Sequence, residues 1–104
     1  MAFKIQLADA AVQDISEFAD RIALNSVVEA RKWVEGLFRE IETLRELPHR
    51  YALIPEAGQL KRELRSIHHH SHRVIYEVHD TENTVYIARV YHGARKPITK
   101  KDVG

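Results

Sequence analysis

The stretch "HRVIYEVHDTENTVYIARVYHGAR", residues 72–95, decides how the chain is read. Two runs of β-branched and aromatic residues, "HRVIYEVH" and "TVYIARVYH", flank "DTEN", a cluster of turn residues. Such runs fit the pleated, half-buried surface of a strand, and the intervening polar cluster predicts a hairpin turn. Arginines are interspersed in both. A third run, "LKRELRSIHH", precedes them and is expected to be the first strand of a three-stranded meander.

Upstream the periodicity changes. "FKIQL", Phe3–Leu7, puts Phe3, Ile5 and Leu7 on one face and Lys4 and Gln6 on the other, the period of a half-buried strand. Asp9 is placed to cap a helix start. Ala11, Ile15, Phe18 and Ile22 then recur at helical spacing, predicting a helix over about 10–24. Ser26 followed by Glu29 reads as a capping box. A second helix is expected from Val27 to Leu47, roughly 30 Å long, burying Ala30, Trp33, Val34, Leu37, Ile41, Leu44 and Leu47. Pro48 is expected to end it, and close approach of the first helix would explain Gly36 in its middle. The predicted fold class is α+β: an N-terminal strand, an antiparallel helical hairpin, then the antiparallel meander, with one sheet face covered by helices and the other open. Residues 1–95 form the expected domain. Residues 96–104 read as a polar, basic, mobile tail with no part in a core.

Composition narrows the chemistry. The chain has 104 residues and no cysteine, which excludes disulfides and thiolate metal sites and suits a reducing cytosol. The N-terminus lacks the apolar run of a signal peptide, and no stretch approaches the roughly 20 apolar residues of a membrane span. Residues 1–57 carry seven Lys/Arg against ten Asp/Glu, and residues 58–104 nine against five. A basic half joined to an acidic half suits a surface for phosphates or an acidic partner, and equally a set of solvated strands with surface lysines. Five of the seven histidines lie in "SIHHHSHRVIYEVH", residues 66–79. Strand sequence on both sides argues against a tag scar. A turn between His68 and His70 spoils a chelating pair, and zinc takes three or four ligands. The expected reading is a largely solvated hairpin tip with no metal, and no cofactor is expected.

The helical hairpin, "LPHRYALIPE", "ELRSI", "HRVIYEV" and "VYIARVYHGAR" together resemble the RelE/ParE superfamily of toxins from type II toxin–antitoxin systems, over about Phe3 to Arg95. The resemblance implies a cytosolic bacterial or archaeal toxin neutralised by a cognate antitoxin. RelE-like members cut messenger RNA in the ribosomal A site, whereas ParE-like members poison DNA gyrase. Cleavage by 2′-OH attack needs a base, an acid and cations around one phosphate. By resemblance, Arg65, Arg73 and His92 would supply these in a RelE-like enzyme. Phosphate or target contacts would come from Arg62, His72, Arg95, Lys96, Lys100 and Lys101. His72 stands where a tyrosine is common in the family, and its protonation below about pH 6.5 would make the sheet more cationic. The chain departs from the RelE-like pattern. Gly93 and Ala94 occupy the stretch where an arginine follows "GH" or "GK", no tyrosine closes the C-terminus, and the lysine-rich element is reduced to Lys61 and Arg62. The resemblance is therefore read as ParE-like: a gyrase inhibitor, with a ribosome-dependent endonuclease as the alternative and an inactive antitoxin-binding domain as a further one.

Overall fold

Two antiparallel hairpins and one parallel pairing build the sheet around which the chain is organised. The computed structural model describes residues 2–93 and 97–104. β2 (Leu64–His69) and β3 (His72–His79) pair antiparallel from Leu64↔Glu77 to His69↔His72, leaving a two-residue turn in which His70 takes φ 55°. β4 (Thr84–His92) pairs antiparallel with β3, and the Asp80–Asn83 turn closes with Asn83 at φ 53°. A register shift between Ile75↔Arg89 and Tyr76↔Ile87 leaves Ala88 as an extra residue in β4. β1 (Lys4–Leu7) runs parallel to β4, from Lys4↔Thr84 to Leu7↔Ile87, so the order is β1-β4-β3-β2.

α1 (Asp9–Ala23) and α2 (Val27–Glu42) form the expected antiparallel hairpin. Ser26 Oγ accepts the Glu29 backbone N–H at 3.1 Å, a cap worth about 1 kcal/mol. Asp9 is not a cap: it is the first helical residue, after Ala8, where its charge faces the positive end of the helix. α2 stops five residues short of the expected end. A 3₁₀ turn, Thr43–Arg45, follows it, and Leu47 lies at φ 47° and is exposed rather than buried. Pro48 disfavours helical backbone at the residue before it, which turns the chain at Leu47. Arg50 then donates to the carbonyl oxygens of Thr43, Glu46 and Leu47, satisfying groups the truncated helix leaves open.

The helices bury Ala11, Ile15, Trp33, Leu37 and Ile41 against Ile67, Val74, Tyr76, Val85, Ile87 and Val90 of the sheet. Each fully buried Leu or Ile contributes about 2 kcal/mol. The other sheet face is not open, contrary to the sequence expectation. Leu64 and Ile75 pack there with Ile54, Ala57 and Ile98, joined by Leu60, Tyr91 and Val103. The cover comes from α3 (Ala57–Leu60) with the residues before it, and from the C-terminal segment with α4 (Lys100–Val103). The tail therefore has a place in a core: Ile98 is buried, and its backbone N–H donates to Glu56 Oε2 at 2.8 Å. Among the described residues no helix is long and apolar enough to cross a membrane.

Candidate functional site

Strand register distributes the expected catalytic residues. Side chains alternate between faces along a strand. Arg65 pairs with Tyr76 and shares the helical face. Arg73 pairs with His68 and Tyr91 and shares the opposite face with Ile75. His92 pairs with His72, again on the helical face, at the exposed end of β4. Arg65 and His92 are thus separated from Arg73 by the sheet itself. The Arg65 guanidinium is also engaged: Nη1 donates to the carbonyls of Tyr51 at 2.6 Å and His49 at 3.1 Å, with Glu63 3.7 Å from Nη2. Arg73 Nε is buried and has no hydrogen-bond partner among the described residues.

The expected phosphate or target contacts are likewise dispersed. Arg62 forks onto Glu77, with Nε and Nη2 each 3.0 Å from a carboxylate oxygen, and its Nη1 donates to the carbonyls of Val103 and Gly104. That bond holds the Glu77 carboxyl below its ordinary pKa. A cleft of about 330 Å³ beside it is lined by His49, Lys61, Arg62, Glu63, Arg65, Glu77, His79 and Asp80. Three Lys/Arg face three Asp/Glu there, so the cleft has no strong preference for an anion. Lys100 and Lys101 are exposed on α4, which Thr99 and Asp102 cap reciprocally. Arg95 and Lys96 lie outside the described residues.

The histidine-rich hairpin tip is not solvated as a whole. His68 and His70 are exposed, but His69 and His72 are each only 8% exposed. The His72 ring stands edge-on to Phe18 and Trp33, with centroids 4.6 and 4.9 Å away, and 4.8 Å from His92. Burial pushes its pKa down to about 4, and the neighbouring His92, His69 and His70 push the same way. The expectation that His72 charges below pH 6.5 is therefore corrected: in the folded chain it stays neutral until about pH 4. His69 sits 3.3 Å from the Trp33 carbonyl through Nε2, and burial lowers its pKa as well. Its ring explains Gly36. A Cβ at position 36 would lie 2.8 Å from His69 Cε1, so it is this imidazole, and not α1, that requires the glycine. Among the described residues, no three His, Asp or Glu are placed to share a metal ion.

One organising contact escaped the sequence reading. Asp14 of α1 is buried, and its carboxylate accepts from Arg89 Nε at 2.7 Å, Arg89 Nη2 at 2.9 Å and the Val90 backbone N–H at 2.9 Å. β1 ends opposite Ile87, so the edge of β4 beyond it lacks a strand neighbour, and Asp14 takes that place. A carboxylate adjoining the apolar stripe of α1, three residues after Ala11, was the available signal. On the outer side of the hairpin two apolar hollows adjoin. One, of about 330 Å³, is lined chiefly by Ala19, Ala23, Val27, Ala30 and Val34. The other, of about 310 Å³, is lined by Leu7, Val12, Ile15 and Phe38 with Ala19 and Val34.

Residues 5–97 match a family model described as the ParE toxin of the type II toxin–antitoxin system parDE. Comparison with curated proteins yields no match. Among solved structures, the fold is similar to a chain of the chromosomal ParDE toxin–antitoxin system from P. aeruginosa. That match has a TM-score of 0.70 and 14% identity, and covers 89% of this chain and 98% of that one. It is also similar to a chain of the RelBE2 toxin–antitoxin complex from Mycobacterium tuberculosis, with a TM-score of 0.59 and 23% identity, covering 91% and 95%. At these identities the two structures establish the fold.

Proposed function

The chain belongs to the ParE toxin family of type II toxin–antitoxin systems, and from this premise we propose that it acts by binding DNA gyrase, without cutting RNA, and that a cognate antitoxin neutralises it. The observation that carries the choice of target is the separation of the candidate nuclease residues. Two arginines clamp a transferring phosphate only if both reach it. Here Arg65 and Arg73 project from opposite sheet faces, and Arg65 Nη1 is held by two backbone carbonyls. His92 shares a face with Arg65, its ring tilted against that of His72 at 4.8 Å. This arrangement leaves no common point for base, acid and cations. The gyrase contact is assigned to the basic C-terminal segment, with Lys100 and Lys101 exposed on α4 and Arg95 and Lys96 preceding them in sequence. The antitoxin is assigned to the apolar hollows outside the helical hairpin, which a bound segment would remove from water.

The test is a direct comparison on the purified chain. Gyrase supercoiling should be inhibited, with cleaved DNA trapped on the enzyme, while ribosome-bound messenger RNA remains intact. Lys100→Glu with Lys101→Glu should weaken the inhibition, and added salt should weaken it further, since exposed charges are screened over about 8 Å at physiological ionic strength. Cleavage of A-site messenger RNA by a chain that leaves gyrase untouched would reverse the assignment, and loss of that cleavage in Arg73→Ala would then locate the chemistry.

A further inference from the structure

The outer face of α2 carries a stripe that complements itself. Val28, Arg31, Glu35 and Phe38 are spaced three, four and three residues apart, the spacing of a coiled-coil seam. α2 buries Ala30, Trp33, Leu37 and Ile41, so the stripe looks away from the sheet. All four members are exposed, Val28 to 60% and Phe38 to 39%. Two large apolar side chains thus stand in water at the ends of the stripe, with one positive and one negative charge between them. Among the described residues, neither Arg31 nor Glu35 forms an ion pair.

The order apolar, positive, negative, apolar has a consequence under two-fold symmetry. In an antiparallel pair of helices, each residue faces the one equally far from the axis on the other side. Both Val28/Phe38 and Arg31/Glu35 are centred on the level of Trp33. We propose that this stripe is an interface between two copies of the chain, with their α2 helices antiparallel about a two-fold axis at that level. Val28 packs on Phe38 of the second copy, Arg31 pairs with Glu35 of the second copy, and symmetry makes each contact twice. A parallel arrangement would oppose like charges. The small, half-buried Ala19 and Ala23 of α1 line the same hollow as Arg31 and Glu35 and let a second hairpin approach. The interface is that of the free chain and does not depend on the target; Arg31, Glu35 and Phe38 also line the hollows assigned to the antitoxin, so a bound antitoxin would displace the second copy.

Magnitude sets the strength. α2 has 16 residues and is about 24 Å long, so a hairpin-wide patch covers on the order of 500 Å² per copy, at the lower end for specific interfaces. The dimer is therefore weak and forms toward the upper end of a concentration series. Sedimentation velocity of the full chain across a concentration series should show it forming, with higher salt favouring the monomer. Arg31→Glu and Glu35→Arg should each dissociate at concentrations about tenfold higher or more, because each reversal opposes like charges twice. An equimolar mixture of the two variants should recover the dimer, since every cross-pair is then of opposite sign.

A second readout leaves the charges intact. The chain has no cysteine, so Val28→Cys mixed with Phe38→Cys should form the mixed disulfide under mild oxidation faster than either forms its own. Circular dichroism checks that each variant is folded. Three results overturn the proposal. The first is a chain that stays monomeric at every concentration, leaving the stripe to another partner such as an antitoxin helix. The second is a dimer indifferent to single reversals or not recovered by mixing. The third is symmetric disulfides at position 28 or 38 outpacing the mixed one.

Discussion

Replacing His72 with phenylalanine should remove an acid sensitivity built into the helix–sheet contact. His72 is enclosed by Phe18, Trp33 and His92 and titrates near 4 in the fold, against about 6.5 in an unfolded chain. The unfolded state therefore takes up a proton at a pH where the native state does not. Stability from this group is complete above about pH 6.5, falls through the window between 6.5 and 4, and is fully lost below it. The full difference amounts to about 3 kcal/mol, of which about 2 kcal/mol is gone by pH 5. Phenylalanine fills the same aromatic niche without a proton site, so its effect near pH 7.5 should stay within about 1.5 kcal/mol. Urea unfolding at several pH values between 7.5 and 4.5 measures this, and Trp33, the chain's one tryptophan, reports from beside the substituted ring. The wild-type curve should fall more steeply than that of the variant by the stated amounts. Parallel curves would refute the picture of a neutral, buried His72.

Gly36→Ala gains about 1 kcal/mol of helix propensity, yet its methyl would meet the His69 ring at 2.8 Å, so the urea midpoint should drop. Adding His69→Ala to the same chain should turn Gly36→Ala into a stabilising change. Asp14→Asn removes the charge facing Arg89 and should cost about 3 kcal/mol in chemical denaturation; a loss below about 0.5 kcal/mol would class the pair with weak surface bridges. Ile98→Ala should cost about 2 kcal/mol and expose the C-terminal segment to limited proteolysis, whereas unchanged stability would show that the segment is not packed.

Local patterns were legible wherever one element answers to its own periodicity. The alternation in Phe3–Leu7, the apolar stripe of α1, the Ser26 cap and the strand runs around "DTEN" each depend on residues within a turn or two of one another, and each appears where the sequence places it. The family was legible for the same reason, since its motifs are short strands and loops read in order. Where α2 would end was less so, because Pro48 acts on Leu47 and Arg50 gathers carbonyls along the chain, a local competition that hydrophobic spacing does not register. The site depended on tertiary structure altogether. A two-residue turn at His70 and Ser71 sets Arg73 opposite His68, not Arg65, and so parts two arginines that look adjacent in a motif. The short reach of β1 leaves the β4 edge that Asp14 fills from 75 residues away. The same holds for the tail: its lysines advertise solvent, yet Ile98 and Val103 cover a sheet face that four strands expose only once they are assembled. Sequence carries the energies of neighbours along the chain; which groups are desolvated together, and which charges must then meet, is settled only when distant segments close over one another.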